Sequence, residues 1–374
     1  MITDNLSRRQ FLKLSGIGVM SSAVNFSASE LTLYVGTYTS GKSEGIYVYA
    51  MDQSTGALRR VGAIKSENPS FLTIDPTKQF LYAVNEKPTG AVSAFKINQQ
   101  TRALSFLNQH SSEGADPCYL SVDQKRKCVL VANYTSGNVA VLPIKRDGSL
   151  GAAVDVDQHV GSGPREQQKG PHAHCITLDA QQRHAFAANL GNDHVMIYRF
   201  DSANSKLEPA AQPSVMVHPG AGPRHLAWHP NGKFLFVINE LDSSLTTFKY
   251  DETEGTLTAF ETVSTLPRDF TGTNSGADLH VAKSGRFVYG SNRGHNSIVV
   301  FALDPATFRL QLVEHVSTEG KWPRNFTIDP AGRFLLVANQ HTDNVVVYRI
   351  DAQTGRLSSV NQTDIPVPVC LQFL

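Results

Sequence analysis

The sequence predicts an all-β fold: a seven-bladed β-propeller with four strands in each blade. A short motif recurs at a roughly constant spacing of about 50 residues, which is the signature of a repeat architecture. Its seven copies are LYVGTY (33–38), LYAVNE (81–86), VLVANY (129–134), AFAANL (185–190), LFVINE (235–240), VYGSNR (288–293) and LLVANQ (335–340). Seven copies of one supersecondary unit predict seven blades.

Each unit contains four predicted strands. An apolar run ends in Asp-Pro or an equivalent turn, the motif follows, and two further strands come after a small polar connector. Apolar and polar residues alternate over five to seven positions between Gly, Asn, Asp and Pro, and no long helical period is present after the N-terminus. Four-stranded units arranged radially form propeller blades.

Closure of the ring is predicted from the two ends of the chain. The first motif, at Leu33, lacks the apolar run that precedes it in the other repeats, and the chain ends on an unassigned run, Val367 to Leu374. We expect the C-terminal strand to join the N-terminal strands in one blade, which removes free sheet edges.

The N-terminus predicts an export signal, residues 1–29, ahead of a propeller domain at residues 30–374. Arg8 and Arg9 precede Phe11 and a short apolar stretch, the pattern of a twin-arginine signal. The predicted partner is therefore the twin-arginine translocation machinery, the predicted location is the periplasm, and cleavage is expected near Ser27 to Ser29. The apolar stretch is too short for stable membrane insertion.

Composition argues against several classes of protein. The net charge is +1, and Lys and Arg do not cluster outside the N-terminus, so a nucleic-acid partner is not expected. The four cysteines lack Cys-x-x-Cys or metal-ligand spacing, and we interpret them as packing residues. No Gly-x-Gly-x-x-Gly loop opens a helix, and histidines and carboxylates do not group as zinc or calcium ligands, so no cofactor or metal is expected.

Two rings of side chains are expected at one mouth of the channel. The start of each inner strand and the end of each second strand reach the same mouth because these strands run antiparallel. The inner-strand positions are Ser70, Cys118, His174, Arg224, Asp278 and Arg324. The second-strand positions are Tyr38, Glu86, Tyr134, Leu190, Glu240, Arg293 and Gln340. The Asn that precedes this last position in six repeats is interpreted as structural.

Four residues in these rings are the candidate catalytic residues: His174, Arg224, Glu240 and Arg293. Arginine binds carboxylate or phosphate and stabilises an oxyanion, and His or Glu can transfer protons. The alternative is a salt-bridge network that only fills the channel. Candidate substrate contacts are His172, His225, His280, Arg324 and Gln340, although the three histidines could instead brace neighbours or contact water.

The sequence also resembles a known family in four stretches: GPHAHCITLD, GPRHLAWHPNGKFLFVINEL, GRFVYGSNRGHNSIVVF and WPRNFTIDPAGRFLLVANQ. They are similar to the propeller family of bacterial 6-phosphogluconolactonases, which includes carboxy-cis,cis-muconate cyclases. The resemblance implies metal-independent chemistry on a lactone, with roles for His174, Glu240, Arg224 and Arg293. Hydrolysis of a sugar lactone is the leading hypothesis, and a lactonising cyclase and a non-enzymatic binding propeller are the alternatives.

Overall fold

The computed structural model describes residues 26–374, which form seven four-stranded antiparallel sheets. The twin-arginine motif and most of the predicted signal lie outside the described residues. Blade 1 combines β1 (Glu30–Thr37), β2 (Gly45–Asp52) and β3 (Leu58–Lys65) with β28 (Pro368–Phe373). Blade 2 contains β4 (Leu72–Ile74), β5 (Phe80–Asn85), β6 (Ala91–Ile97) and β7 (Leu104–Ser111). Blade 3 contains β8 (Pro117–Val122), β9 (Cys128–Asn133), β10 (Asn138–Pro143) and β11 (Asp155–Gln158).

The remaining four blades follow in chain order. Blade 4 contains β12 (Ala173–Leu178), β13 (His184–Asn189), β14 (His194–Asp201) and β15 (Lys206–Met216). Blade 5 contains β16 (Pro223–Trp228), β17 (Phe234–Asn239), β18 (Ser244–Asp251) and β19 (Thr256–Ser264). Blade 6 contains β20 (Ser275–Val281), β21 (Phe287–Arg293), β22 (Ser297–Leu303) and β23 (Leu310–Ser317). Blade 7 contains β24 (Pro323–Ile328), β25 (Phe334–Asn339), β26 (Asn344–Ile350) and β27 (Leu357–Asp364).

The inner strands of the seven blades form a closed ring around the channel. The first strand of each sheet neighbours the first strand of the next, and β28 fills the place between β24 and β4. The one helix among the described residues is a single 3₁₀ turn, Glu166–Gln168, and no described helix is long and apolar enough to cross a membrane. The predicted seven-bladed propeller is therefore confirmed.

The hydrophobic core lies between neighbouring blades. Every residue of β5, β9, β17 and β25 is buried, because both faces of these strands are covered by adjacent sheets. Outer strands such as β7 and β27 alternate between exposed and more buried positions, as expected for strands with one face in water. This packing holds the inner strands in fixed positions around the channel.

The C-terminal strand closes the ring as predicted. Strand β28 pairs antiparallel with β1, from Leu33 opposite Phe373 to Thr37 opposite Pro368. Leu371 and Phe373 are buried in the core between blades 1 and 7. The last residues of the chain are therefore part of the first blade.

A β-bulge recurs at the start of the inner strands and aims one side chain at the mouth. In blade 5, Pro223 pairs with Asn239 and His225 pairs with Ile238, which leaves Arg224 as the extra residue. The same irregularity falls at Cys118, His174 and Arg324. Bulges commonly re-aim side chains near functional sites.

Blade 6 departs from the predicted alignment by one residue. Gly276 pairs with Asn292, as Pro223 does with Asn239, so the residue equivalent to Arg224 is Ala277 and not Asp278. Asp278 instead lies at the level of His225, where the two side chains meet across the blade boundary. The expectation that Asp278 belongs to the ring of Arg224 was wrong, because the proline that stands at this register in blades 3, 5 and 7 is replaced by Gly276 in blade 6.

The repeated Asn is structural, as interpreted from the sequence. Asn133 and Asn339 are fully buried, and their amides donate to the carbonyls of Ser112 and Thr318 at 2.9 Å. Each bond ties the end of a second strand to the segment that enters from the preceding blade. The repeat therefore serves to join neighbouring blades.

Candidate active site

A cavity of about 230 Å³ lies at the mouth where the inner strands begin. All eight residues that line it carry ionisable side chains: Tyr38, Glu86, Cys118, Tyr134, His174, Glu240, Arg293 and Arg324. Larger hollows of about 570 and 630 Å³ lie on the outer surface among turn residues. We place the candidate site in the smaller cavity, because convergent ionisable groups in a concave site are typical of catalysis.

Glu240 and Arg293 form the centre of the charged wall. Oε2 of Glu240 lies 2.7 Å from Nη2 of Arg293, which also donates to the carbonyl of Gly276 at 2.8 Å. Burial alone would raise the pKa of Glu240, but Arg293, Arg224 and Arg324 outweigh burial and hold that pKa below its ordinary value. Glu240 is therefore an ionised partner for arginine and a weak proton acceptor at neutral pH.

Arg224 supports Glu240 from beneath and does not line the cavity. Its Nε lies 2.8 Å from Oε2 of Glu240, an ion pair without the alignment of a directed hydrogen bond. Its Nη1 donates to the carbonyl of Ala277. Burial and the nearby Arg293 lower the pKa of Arg224 to about 10, so the guanidinium stays charged at neutral pH.

His174 is the buried imidazole of the site. Burial and the charge of Arg224 hold its pKa well below the ordinary histidine value, so the ring is neutral at neutral pH. Its Nδ1 lies 3.6 Å from Sγ of Cys118, and its ring meets Tyr134 edge-on at 5.4 Å between centroids. A neutral imidazole beside a polar cavity can accept a proton from water.

Arg324 and Glu86 face the other side of the cavity. The Tyr38 hydroxyl donates to Oε1 of Glu86 at 2.8 Å, and the Ser70 hydroxyl donates to Oε2. Arg324 is 3.8 Å from that carboxylate, and its guanidinium carbon lies 5.4 Å from the centre of the Tyr38 ring. Although burial opposes it, the anionic forms of Tyr38 and Glu86 raise the pKa of Arg324 above its usual value. Arg324 is thus a cation with one looser carboxylate contact.

The structure brings four predicted site residues to the cavity surface, namely His174, Glu240, Arg293 and Arg324. The cavity is also lined by four residues that are not among the site residues predicted from the sequence: Tyr38, Glu86, Cys118 and Tyr134. All four stood in the two aligned rings, so ring membership was the signal that could have found them. Cys118, interpreted as a packing residue, is buried and also faces the cavity.

The other predicted substrate contacts lie outside the cavity lining. His172 stacks on Tyr134 at 4.6 Å, and its Nδ1 lies 2.9 Å from the Tyr134 carbonyl. Gln340 follows β25 at the mouth, with Oε1 buried and without a hydrogen-bond partner. His225 is buried in the channel, and His280 lies further along β20, 3.2 Å from Asp278. Among residues 26–374, no group of three His, Cys, Asp or Glu side chains is arranged to hold a metal ion.

The fold and this cavity identify a propeller of the lactonase type. Residues 32–373 match the family model described as lactonase, 7-bladed beta-propeller, and the chain belongs to that family. The chain is 40% identical to a 6-phosphogluconolactonase of Bacillus subtilis over 91% of this chain and 97% of that protein. It is 32% identical to a 6-phosphogluconolactonase of Formosa agariphila over 80% of this chain and 86% of that protein.

A solved structure provides a further comparison. The periplasmic gluconolactonase of Pseudomonas aeruginosa superposes with a TM-score of 0.89 at 35% sequence identity, covering 92% of this chain and 99% of that one. The coverage of both chains shows that the two proteins share the propeller almost in full. The resemblance predicted from the four sequence stretches is confirmed.

Proposed function

We propose that the protein hydrolyses a lactone of a sugar acid in the channel-mouth cavity. The observation that carries the proposal is the pairing of a neutral, buried His174 with an arginine wall that Glu240 holds in place. A base and an oxyanion-stabilising cation are the two groups that ester hydrolysis requires. The names of the relatives support the same reaction class.

The geometry favours His174 over Glu240 as the base. Oε2 of Glu240 is already engaged by two arginines at 2.7 and 2.8 Å, whereas the His174 ring forms no ion pair among residues 26–374. His174 would take a proton from water as the water oxygen bonds to the lactone carbonyl carbon, and Arg293 would stabilise the resulting oxyanion. Collapse breaks the ring C–O bond, and the proton passes from His174 to the leaving alkoxide, which yields the hydroxy acid.

Arg324 is the group we assign to the anionic or polar end of the substrate. Its nearest carboxylate is 3.8 Å away, whereas Arg293 has one at 2.7 Å, so Arg324 is the less neutralised cation of the lining. Arginine recognises phosphate and carboxylate through paired hydrogen bonds. A phosphorylated and an unphosphorylated aldonolactone remain the two candidate substrates.

The predicted export signal favours the unphosphorylated lactone. Phosphorylated sugars are cytoplasmic metabolites, and Arg8, Arg9 and the apolar stretch after them direct a chain to the periplasm. We therefore propose periplasmic hydrolysis of an aldonolactone such as glucono-1,5-lactone. Cell fractionation tests the location: an Arg8→Lys/Arg9→Lys variant should stay in the cytoplasm, and equal periplasmic amounts of both proteins would contradict export.

The test of the reaction compares hydrolysis of glucono-1,5-lactone and its 6-phosphate with the spontaneous rates. Glu240→Gln and Arg293→Ala should each lower kcat by about 100-fold or more, the size expected when an oxyanion-stabilising group is lost or displaced. Arg199→Ala is the matched control, because Arg199 is 70% exposed on the outside of blade 4. We expect the rate to survive chelator treatment, since metal-independent chemistry is part of the proposal.

The outcomes separate the three classes of function. Hydrolysis above background that is lost in both site variants but kept in the control supports a lactonase. Lactone formation from a muconate substrate without hydrolysis would instead support a cyclase. Tight binding of these compounds without turnover would indicate a binding propeller.

A further inference from the structure

Beneath the cavity, the channel holds a carboxylate that the proposed reaction does not use. Asp278 is buried, and its Oδ1 lies 2.7 Å from Nδ1 of His225. Its Oδ2 accepts hydrogen bonds from the Asn325 amide at 2.6 Å and the Phe326 backbone N–H at 3.2 Å. Burial alone would raise the pKa of Asp278, but His280 and His225 outweigh it and hold that pKa far below the ordinary value.

The ionised carboxylate fixes the tautomer of His225. A carboxylate can only accept, so Nδ1 of His225 must carry the hydrogen. Burial lowers the pKa of His225 to about 4, and the ring is neutral, which leaves a lone pair on Nε2. That nitrogen lies 3.3 Å from Nη1 of Arg224, which can only donate.

The hydrogen bonds therefore form a chain in which each residue donates to the next one deeper in the channel. Arg224 donates to His225, His225 donates to Asp278, and the same Nη1 of Arg224 donates to the Ala277 carbonyl. These two acceptors hold the guanidinium so that its Nε faces Glu240 at 2.8 Å. The orientation of Arg224 thus depends on which nitrogen of His225 is protonated.

The geometry points to Asp278 as a positioning residue: it sets the tautomer of His225 and through it the orientation of Arg224 beneath Glu240. Substitution of a residue that supports a metal ligand typically lowers activity by about 10- to 100-fold, and we expect an effect of the same order for Asp278. This inference relies on the proposed function only for its kinetic readout. Asp278 touches neither the cavity nor, on this proposal, the substrate.

Substitution of Asp278 by Asn should reverse the tautomer. Oδ2 accepts from three donors, His280, the Asn325 amide and the Phe326 N–H. Oδ1 accepts from two, His225 and the Leu279 backbone N–H at 2.9 Å. The Asn side chain would therefore place its oxygen on the side with more donors and turn its amide NH₂ toward His225. His225 would then accept at Nδ1 and carry its hydrogen on Nε2, opposite the N–H of Arg224. Two facing donors repel, and the guanidinium would move away from its present position under Glu240.

The first test is spectroscopic and independent of activity. In protein labelled with ¹⁵N-histidine, the ring nitrogen shifts of His225, assigned by their loss in His225→Gln, should show hydrogen on Nδ1. In Asp278→Asn they should show hydrogen on Nε2. A wild-type His225 with hydrogen on Nε2 would overturn the proposal, whether or not the variant folds.

The second test is kinetic and uses a matched variant. Asp278→Asn should lower kcat by about 10- to 100-fold with KM changed less than about threefold, because Arg224 does not line the cavity. Asn325→Ala removes a donor from the other oxygen of the same carboxylate and should keep kcat within about threefold. If both variants lost the same fraction of kcat and had equal melting temperatures, the kinetic role of Asp278 in positioning Arg224 would be contradicted. If the wild-type protein turns over no lactone, the proposed function is wrong. The ring nitrogen shifts of His225 would still show whether Asp278 sets its tautomer.

Discussion

The Oε2 atom of Glu240 lies 2.7 Å from Nη2 of Arg293, in a cavity whose lining is entirely ionisable. This ion pair separates two roles in the proposed mechanism, namely holding the arginine and transferring the proton. A carboxylate that is held by arginine stays charged and fixes the arginine, so the proposed mechanism assigns proton transfer to the neutral imidazole of His174.

The first prediction concerns the pH dependence of turnover. The base must be neutral to accept a proton, and the pKa of His174 lies well below 6.5 because of burial and Arg224. Turnover should therefore stay constant as pH falls from 7.5 through 6.5, where an ordinary histidine would become half protonated. The measurement is kcat against pH after subtraction of spontaneous hydrolysis, and a midpoint at 6.5 would contradict it.

The second prediction concerns stability in acid. Burial lowers the pKa values of both His159 and His225 to about 4, whereas the ordinary value is 6.5. Between these pH values the unfolded chain binds more protons than the folded chain, so the free energy of unfolding decreases as pH falls. Each histidine can account for up to about 3 kcal/mol over that range. Melting temperature measured from pH 7 to pH 4 should decrease, less steeply in His159→Gln, and an unchanged value would refute the prediction.

Arg324 provides the third prediction. Arg324→Gln should raise KM for the 6-phosphate of gluconolactone by about 10- to 100-fold more than KM for the neutral lactone, because a charge-assisted contact is lost. Arg324→Lys, which keeps the charge, should restore part of the difference. The same change in KM for both substrates would show that Arg324 does not contact the phosphate.

The repeated Asn provides the fourth prediction. Asn339→Ala leaves the buried Thr318 carbonyl without its 2.9 Å donor, and we expect a loss of about 1–3 kcal/mol in unfolding free energy. Turnover should be unchanged, since Asn339 does not line the cavity. Chemical denaturation should therefore show a lower unfolding free energy for Asn339→Ala, while kcat stays at the wild-type value. A large loss of kcat in a fully folded variant would instead indicate a role of this Asn in the site.

The closing strand provides the fifth prediction. Deletion of residues 367–374 removes the inner strand of blade 1 and exposes the edges of β1 and of its neighbours. The melting temperature should decrease far more than after Phe373→Ala, which removes one buried side chain at a cost of about 3–5 kcal/mol. A truncated protein that melts at the wild-type temperature would show that ring closure contributes little.

The fold could be predicted from the sequence because the repeat is redundant. Seven similar motifs give the blade number, and the unpaired ends at Leu33 and Val367 give the closure. The two rings were also readable, with the exception of blade 6, where Asp278 stands one position further from the mouth than the alignment placed it. The replacement of the usual proline by Gly276 was enough to misplace Asp278 by one position in the alignment.

The orientation of individual side chains could not be predicted in the same way. Arg224 occupies a ring position, but the Ala277 carbonyl and His225 draw its guanidinium below the cavity. His225 belongs to the same strand as Arg224, and the Ala277 carbonyl belongs to blade 6. The position of that carbonyl relative to Arg224 depends on how blades 5 and 6 pack together, which the sequence does not show. His172 likewise precedes an inner strand at the mouth, yet it stacks on Tyr134 and does not line the cavity.

The pairing of β28 with β1 also has a consequence for the order of biosynthesis. Blades 2 to 7 are each made from one continuous segment and can form as the chain leaves the ribosome, whereas blade 1 must wait until β28 has been translated. A chain that stops before Pro368 therefore has an open ring. Ring closure is therefore possible only after synthesis has passed β28, which makes it a late step in folding.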